Sequence, residues 1–186
     1  MHIHRFLNGE ERRKWQNPDA ILISIGVKTG VKFVDVGCGD GFFAVPAAKL
    51  VGNSGRVYAL DVDSDAIGRL MEKAAKETLR NLELKVGKAE EMVFCDSCVD
   101  IVFFGIVFHD FSDPNKVLSN AKRMLKPTGR LIDLDWKKEP MRLGPPLQIR
   151  FSKEKASTLI EAAGFKIGCT RDEGLYPYII FATPEF

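Results

Sequence analysis

The sequence lacks the features of secreted and membrane-spanning proteins. Its apolar runs are short enough to be strands, far below the roughly 20 residues that cross a bilayer. The N-terminal Met-His-Ile-His-Arg lacks the apolar core of a signal peptide. Only four cysteines occur in 186 residues, and without a secretory signal we expect them to be reduced thiols. These absences predict a cytoplasmic protein with no membrane partner.

The sequence also lacks a large excess of either positive or negative charge. The 27 basic and 25 acidic residues leave a net charge of +2, which is too small to indicate nucleic acid as a partner. No repeat, low-complexity tract or interdomain linker interrupts the chain, and 45% of its residues are hydrophobic, enough for a substantial core. We expect a single domain over residues 1–186, with residues 1–17 as an N-terminal arm or lid and residues 18–186 as the core.

The most informative stretch is Val-Asp-Val-Gly-Cys-Gly-Asp-Gly at residues 34–41. An apolar run ends there in a carboxylate and a loop with glycine at every second position, and a helix-forming segment follows. A second apolar run ends in Asp61, twenty residues after Gly41. This order of strand, glycine loop, helix, strand and acid is typical of sites for nucleoside-containing cofactors. The spacing differs from the Gly-x-Gly-x-x-Gly of dinucleotide-binding proteins.

Apolar runs and helical periodicities alternate along the chain. Strands are predicted at residues 32–36, 56–60, 82–86, 99–104, 130–134, 165–169 and 176–182. Helices are predicted at residues 18–25 and 42–51, and from Ser64, Pro114 and Ser152 onward. The pattern predicts an α/β, doubly wound, mostly parallel seven-stranded sheet with an antiparallel C-terminal edge hairpin. Right-handed crossovers would bring the loops at residues 37–41, 61–63, 87–91 and 105–110 to one edge of the sheet, where ligands bind.

The sequence resembles class I S-adenosylmethionine-dependent methyltransferases, especially the small single-domain, type 11-like members that modify small molecules. Five motifs carry the resemblance in the family's order, and the similarity runs from about Asp19 to the C-terminus. The motifs lie at residues 34–41, 59–63, 87–91, 100–110 and 123–129. The resemblance implies a Rossmann-like methyltransferase fold, S-adenosylmethionine as the cofactor, and methyl transfer to a small-molecule acceptor.

The resemblance also implies how the methionine end of the cofactor is held. The backbone of Gly37 and Gly39 would hold that end, with the side chain of Asp35 nearby. Gly105, at the end of the fourth strand, would offer its carbonyl to the methionine ammonium group.

The ribose and adenine contacts implied by the resemblance include one departure from the family. Asp61 would accept hydrogen bonds from both ribose hydroxyls, Val62 would pack on adenine, and Ala89 would offer its backbone N–H. Lys88 stands where the family usually has an acid that accepts from the adenine amino group, and lysine has no acceptor. Either Glu90 replaces that acid, or the amino group meets backbone or water, or adenine binds more weakly.

The candidate catalytic residue is His109, which follows the fourth strand. A histidine there can serve as the base for an acidic substrate proton, or it can be a packing residue that hydrogen-bonds the loop. Asp135 and Trp136, after the fifth strand, could line the acceptor side. Residues 137–151 are either a lid or a long connection. No metal site is expected, because the pair Cys95-x-x-Cys98 supplies only half of the ligands of structural zinc.

The acceptor is predicted only by class. No Asn/Asp-Pro-Pro-Tyr/Phe motif follows the fourth strand, where Gly-Ile-Val-Phe stands instead, which speaks against methylation of nucleic-acid amines. Several aromatic side chains near the predicted site favour a small, partly apolar acceptor, and Cys95 and Cys98 keep arsenite as a minor alternative. Two other classes stay open: a cofactor-binding subunit without catalysis of its own, and a nicotinamide-dependent oxidoreductase.

Overall fold

The computed structural model describes residues 9–185. These residues form a seven-stranded sheet with helices on both of its faces. The strands are β1 (Lys32–Val36), β2 (Arg56–Asp61), β3 (Leu82–Val86), β4 (Val99–Gly105), β5 (Leu125–Trp136), β6 (Phe165–Asp172) and β7 (Pro177–Pro184). The helices are α1 (Gly9–Arg13), α2 (Pro18–Ser24), α3 (Ala44–Val51), α4 (Ser64–Lys76), α5 (Pro114–Met124) and α6 (Lys153–Ala162). Single 3-10 turns lie at Ala89–Glu91 and Phe108–Asp110.

The strand order is β3-β2-β1-β4-β5-β7-β6. The first five strands are parallel to their neighbours, whereas β7 runs antiparallel to both β5 and β6. The order reverses between β1 and β4, which creates the crevice where open sheets of this kind bind ligands. The predicted fold class, including the antiparallel edge, is confirmed.

The hydrophobic core lies on both faces of the sheet, as the continuous apolar sequence of β4 predicts. Ile101 and Phe103 pack into the layer that also holds α2 and α3. Val102 and Phe104 point the other way, into the layer with α5 and α6. Both layers are anchored on the central strands, so the loops at the carboxyl ends of β1 and β4 rest on a packed base.

Some predicted boundaries move when the backbone is seen. Strand β5 begins at Leu125 rather than Arg130, because Leu125 already pairs with Val99 across a register shift in β4. Helix α3 begins at Ala44 rather than Phe42, since the tight glycine turns extend that far. The side chain of Asp63, rather than Ser64, caps α4 by accepting from the N–H groups of residues 65 and 66.

The expectation that all four cysteines are reduced thiols is wrong. Cys95 and Cys98 are joined as a disulfide, so they are not both reduced thiols in this structure. Cys38 is buried, and burial, followed by the charges of Asp35 and Asp61, raises the pKa of its thiol. Among residues 9–185, no group of side chains could hold a metal ion, and no helix is long and apolar enough to cross a membrane.

Candidate functional site

The glycine loop after β1 is held in a conformation that side chains disfavour. Gly37, Gly39 and Gly41 have φ values of 73°, 53° and 90°, in the left-handed region that glycine adopts without strain. A Cβ on Gly37 would lie 2.5 Å from Val107, so the loop packs directly against the segment after β4. The loop is anchored to β2 as well, because the N–H groups of residues 37 and 38 donate to the carbonyl of Leu60.

Asp61 lies at the carboxyl end of β2, beside the glycine loop. One of its carboxylate oxygens accepts from the N–H of Gly39 at 2.8 Å, and the other accepts from the N–H of Asp63 at 2.9 Å. These two bonds fix the plane of the carboxylate. Each oxygen can accept a further hydrogen bond, so the arrangement suits a ligand with two adjacent hydroxyls.

The turns after β2 and β3 carry the residues that the sequence predicts to border adenine. Val62 is 62% exposed, an apolar side chain left open beside Asp61. Ala89 is buried, and its carbonyl accepts from the amide of Asn120 at 2.9 Å, as does the carbonyl of Glu90. Asn120 therefore fixes the turn that carries Ala89, a role that sequence patterns did not reveal.

The departure at Lys88 is also visible in the structure. Lys88 is exposed, and the side chain of Glu90 turns toward α5. One Glu90 oxygen accepts from the N–H groups of Ser112 and Asp113, at 3.0 and 3.2 Å. This engagement weakens the alternative in which Glu90 replaces the missing acid, because the carboxylate already satisfies the start of α5.

Asp35, inside β1, is buried below the glycine loop. Its Oδ2 atom has no hydrogen-bond partner among the described residues. Burial raises the pKa of the Asp35 carboxyl to about 7, with the positive charge of Arg12 opposing that rise. A buried, unpartnered carboxylate oxygen is costly. The site therefore fits a cationic ligand group.

The end of β4 is equally constrained. A Cβ on Gly105 would meet the ring of Phe103 at 2.6 Å and that of Phe43 at 3.0 Å, so the backbone passes closely between two aromatic rings. Ile106 follows with a φ of 67°, an uncommon conformation for a β-branched residue. Its N–H donates to the carbonyl of Leu134 at 2.7 Å, which pins the turn against β5. The carbonyl end of Gly105 is thus set at the crevice.

His109 forms a close pair with Asp135. Its Nδ1 lies 2.8 and 2.9 Å from the two carboxylate oxygens, and its backbone N–H donates to Asp135 at 3.1 Å. Burial lowers the pKa of His109, but the charge and hydrogen bond of Asp135, with Asp110 adding to them, outweigh burial and raise it. Asp135 is itself oriented by the N–H of Trp136, at 2.7 Å. The pair has the geometry of an oriented acid–base group.

Asp133 and Tyr178 lie behind this pair, and the sequence did not single them out. Both are buried. In the described part of the chain, neither the Asp133 oxygens nor the Tyr178 hydroxyl has a hydrogen-bond partner within ordinary geometry. The two groups are nevertheless close enough to influence each other. Burial, then the charge of Asp135, raises the pKa of Asp133 well above its usual range. Alternation within β5 and the pairing of Asp135 with Tyr178 place them together, a signal visible only once the pairing register is known.

The segment of residues 137–150 is organised around Arg150, which the sequence also did not single out. Arg150 is buried and donates hydrogen bonds of 2.8–3.2 Å to the backbone carbonyls of Lys137, Glu139, Leu143 and Pro145. Gly144 lies against the ring of Trp136, where a Cβ would come within 2.9 Å. The segment is therefore an ordered cover over the end of β5 and not a loose connection.

Trp15, in the described part of the N-terminal arm, packs against two aromatic residues near the end of β5. The ring of Trp15 lies 5.2 Å from that of Trp136 and 5.3 Å from that of Tyr176. Trp15 therefore joins residues 9–17 to the end of β5 and to the segment before β7. Phe6, which belongs to the predicted arm, lies outside the described residues.

An open groove of about 700 Å³ lies beside the Cys95–Cys98 loop and α5, and Glu90 belongs to its lining. Its lining is mainly charged, with Asp96, Lys116 and Arg123 among the contributing side chains. We place the ligand site at the crevice instead, because the glycine loop, Asp61 and the His109–Asp135 pair converge there.

Comparison with known proteins agrees with this geometry. A family model described as a methyltransferase domain matches residues 27–164. Demethylmenaquinone methyltransferases of Staphylococcus aureus and Bacillus subtilis are each 29% identical over 133 residues, which is 72% of this chain. The matched part is only 54% and 56% of those proteins, so the chain spans about half the length of these relatives.

A solved structure matches over nearly the whole chain. It is a SAM-dependent methyltransferase from Aquifex aeolicus, 31% identical, with a TM-score of 0.87, and the match covers 95% of this chain and 98% of that one. S-adenosylmethionine is the methyl donor that these similarities imply. From its crevice, its family match and this structural likeness, the chain belongs to the S-adenosylmethionine-dependent methyltransferases.

Proposed function

We propose that this protein transfers a methyl group from S-adenosylmethionine to a small, partly apolar acceptor, with His109 taking the acceptor's proton. The observation that carries the proposal is the His109–Asp135 pair, with Nδ1 2.8 Å from the carboxylate, on the same edge of the sheet as the glycine loop. One edge thus offers a cofactor site and a proton acceptor.

The residues present fit the cofactor. Asp61 would accept from the ribose hydroxyls, Val62 and the turn with Lys88, Ala89 and Glu90 would border adenine, and the methionine end would lie along the glycine loop. Asp35 has an unpartnered buried oxygen that matches an ammonium group. Gly37, Gly39 and Gly105 would present backbone groups at close range. The cofactor supplies a methyl group already activated by a sulfonium.

The chain's own contribution to the reaction is orientation and proton acceptance. Holding the acceptor atom roughly 3 Å from the methyl carbon and in line with the leaving bond provides much of the rate. When Nδ1 of neutral His109 donates to Asp135, Nε2 becomes the acceptor nitrogen. The side chain of His109 is only 1% exposed, so the acceptor enters when the covering residues move aside.

The acceptor class rests on the aromatic surroundings of this pair. Trp15, Trp136 and Tyr176 contact one another beside the end of β5, which favours a flat apolar molecule with an acidic O–H or C–H. The relatives from S. aureus and B. subtilis are demethylmenaquinone methyltransferases, so demethylmenaquinone is the first acceptor to test. No nucleic-acid partner and a cytoplasmic location remain predictions.

The test has two stages. Calorimetric titration measures binding of S-adenosylmethionine, S-adenosylhomocysteine and NAD to the wild type, to Asp61→Ala and to the exposed control Asp65→Ala. We expect binding of the two sulfur ligands only, weakened by about 100-fold or more in Asp61→Ala because two hydrogen bonds to a charged group are lost. Release of S-adenosylhomocysteine is then measured with reduced demethylmenaquinone, other hydroquinones, phenols, thiols, amines and arsenite.

The outcomes separate the classes that the sequence left open. Turnover of a hydroquinone or phenol supports the proposal, and turnover of amines, thiols or arsenite alone contradicts the acceptor class. Binding without turnover of any acceptor would instead indicate a cofactor-binding subunit. Preferential binding of NAD would overturn the methyltransferase activity itself.

A further inference from the structure

The N-terminal arm places a guanidinium group over the start of α3. The Cζ of Arg12 lies 4.0 Å from the ring centroid of Phe42 and 5.1 Å from that of Phe43. Both rings directly follow the glycine loop. A guanidinium over the face of an aromatic ring is held by cation–π attraction, so Arg12 is fixed beside the loop and does not extend into solvent.

Polar atoms around Arg12 are buried without partners. Within residues 9–185, four of these buried atoms lack a hydrogen bond: Nη2 of Arg12, Nε1 of Trp15, Nε2 of Gln16 and Oδ2 of Asp35. Buried polar groups are nearly always satisfied, and each exception calls for an explanation. Three unsatisfied donors on one arm and one unsatisfied acceptor beneath the loop indicate a ligand that carries complementary groups.

The electrostatics place Arg12 near that acceptor. Burial lowers the pKa of Arg12 to about 10, while the negative charges of Asp35 and Asp40 oppose that lowering. Asp35 precedes the glycine loop and Asp40 lies within it. Arg12 stays cationic at neutral pH. Its Nε donates to the side-chain oxygen of Gln16 at 2.6 Å, which orients the guanidinium and leaves Nη2 for another acceptor.

The methionine end of S-adenosylmethionine carries the two groups that would satisfy these atoms. Its carboxylate is an acceptor with a negative charge, and its ammonium is a donor with a positive one. We propose, on the basis of the cofactor assignment above, that Arg12 binds the carboxylate of the cofactor, with Gln16 positioning the guanidinium. Asp35 then faces the ammonium group. The N-terminal arm is thereby part of the cofactor site and not only a cover.

A purely structural role for Arg12 makes a different prediction. If Arg12 only packed on Phe42 and supported the glycine loop, its loss would weaken every adenosine ligand alike. If it binds the carboxylate, its loss matters only for ligands that have one. Decarboxylated S-adenosylmethionine keeps the adenosine, the sulfonium and the ammonium group, and lacks only the carboxylate.

The experiment is a double cycle of ligand and protein, read by calorimetry. We expect the wild type to bind S-adenosylmethionine about 10- to 100-fold more tightly than the decarboxylated ligand, the range for a charge-assisted hydrogen bond. In Arg12→Met that preference should shrink to within about threefold, while affinity for the decarboxylated ligand hardly changes. Arg13→Met is the matched control, since Arg13 is a neighbour on α1 whose half-exposed side chain pairs with Asp19.

Each other result overturns the inference. Equal affinity of the wild type for the two ligands would show that no residue of the protein binds the carboxylate. That result does not depend on whether Arg12→Met folds. An equal loss for both ligands in Arg12→Met would show a structural role, and an undiminished preference in that variant would assign the carboxylate to another residue. Failure of the wild type to bind either ligand would instead reject the cofactor assignment on which the inference rests.

Discussion

The two sides of the crevice are built in different ways. On the β1–β2–β3 side, the ligand groups are mainly backbone, shaped by glycines, with the carboxylate of Asp61 set by two N–H donors. On the β4–β5–β7 side, the groups are buried side chains: His109, Asp133, Asp135 and Tyr178. The β1–β2–β3 side suits a ligand of constant structure. The β4–β5–β7 side combines acid–base groups with the ordered segment around Arg150.

The difference predicts how substitutions on the two sides of the crevice affect the protein. Replacing a glycine of the loop changes backbone geometry, because left-handed conformations disfavour other residues. Replacing a buried charged side chain changes pKa values and leaves a neighbour without its partner. The glycine side should therefore respond to mutation through affinity for the cofactor, and the acceptor side through turnover and its pH dependence.

The largest effect is expected at His109. His109→Ala should lower kcat by about 10²- to 10⁴-fold, the usual contribution of a general base, while S-adenosylhomocysteine affinity stays within about threefold. Because Asp135 and Asp110 raise the pKa of His109 and the base must be neutral, kcat should increase with pH through an apparent pKa above about 6.5. Steady-state kinetics across pH 5–9 measures this.

Asp135→Asn should move that apparent pKa downward and reduce kcat, because the imidazolium loses its buried counter-charge. Asp110→Asn is the control, since Asp110 is 40% exposed in its side chain and lies 3.6 Å from Nε2, so its shift should be smaller. An unchanged kcat in His109→Ala would show that His109 does not accept the proton of the methyl acceptor. His109 would then be a packing residue.

The second effect is expected at Asp35 and concerns stability. An aspartate has a pKa of about 3.9 when unfolded, whereas burial raises that of Asp35 to about 7 in the folded chain. Folding therefore favours the protonated carboxyl, and its contribution to stability is present below about pH 4 and lost as pH rises toward 7. Without ligand, the free energy of unfolding of the wild type should fall by about 2–3 kcal/mol between pH 5 and pH 7 because of this carboxyl. Asp35→Asn should not show that fall.

Urea unfolding of wild type and Asp35→Asn at several pH values measures the difference in the free energy of unfolding. Asp65→Asn, an exposed residue of α4, provides the control and should follow the wild type. Parallel pH profiles for wild type and Asp35→Asn would contradict a raised pKa. In the same variant, cofactor binding should weaken, because the neutral amide no longer attracts a cationic ammonium group.

The smallest of these effects is expected within the glycine loop and compares two of its members. Gly37→Ala would adopt a strained φ and also bring a Cβ within 2.5 Å of Val107. Gly39→Ala shares the positive φ but meets nothing within 4 Å. Strain alone costs roughly 1–2 kcal/mol, so Gly39→Ala should lose about 5- to 30-fold in cofactor affinity and Gly37→Ala distinctly more. Calorimetry decides the ranking, and equal losses would show that Val107 yields freely.

Sequence patterns were sufficient for the fold and for the backbone conformation of the glycine loop. Strand alternation, the spacing of glycines and the acid at the end of β2 are local signals, and each describes a backbone conformation that a short segment adopts by itself. The placement of Asp61 at a strand end beside the loop follows from topology rules that hold for any parallel sheet.

The acceptor side could not be predicted in the same way. In the sequence, Asp133 is only a polar residue within an apolar strand. The pairing register of β5 and β7 is needed to show that Tyr178 lies near it. Arg150 gives no periodic signal, because its partners are backbone carbonyls of an irregular segment. The contact of Glu90 with the N–H groups of Ser112 and Asp113 at the start of α5 gives no sequence signal either. Such roles depend on contacts between segments remote in sequence.

The strand order has a consequence for how such an enzyme can diverge. The hairpin of β6 and β7 lies at the edge of the sheet farthest from β2 and β3, yet β7 supplies Tyr178 to the wall beside His109 and Asp135. On the proposed assignment, drift or recombination in the last strands can change the accepted molecule while the donor pocket is inherited intact. Exchange of residues 165–184 between relatives is thus a direct route to new acceptor selectivity.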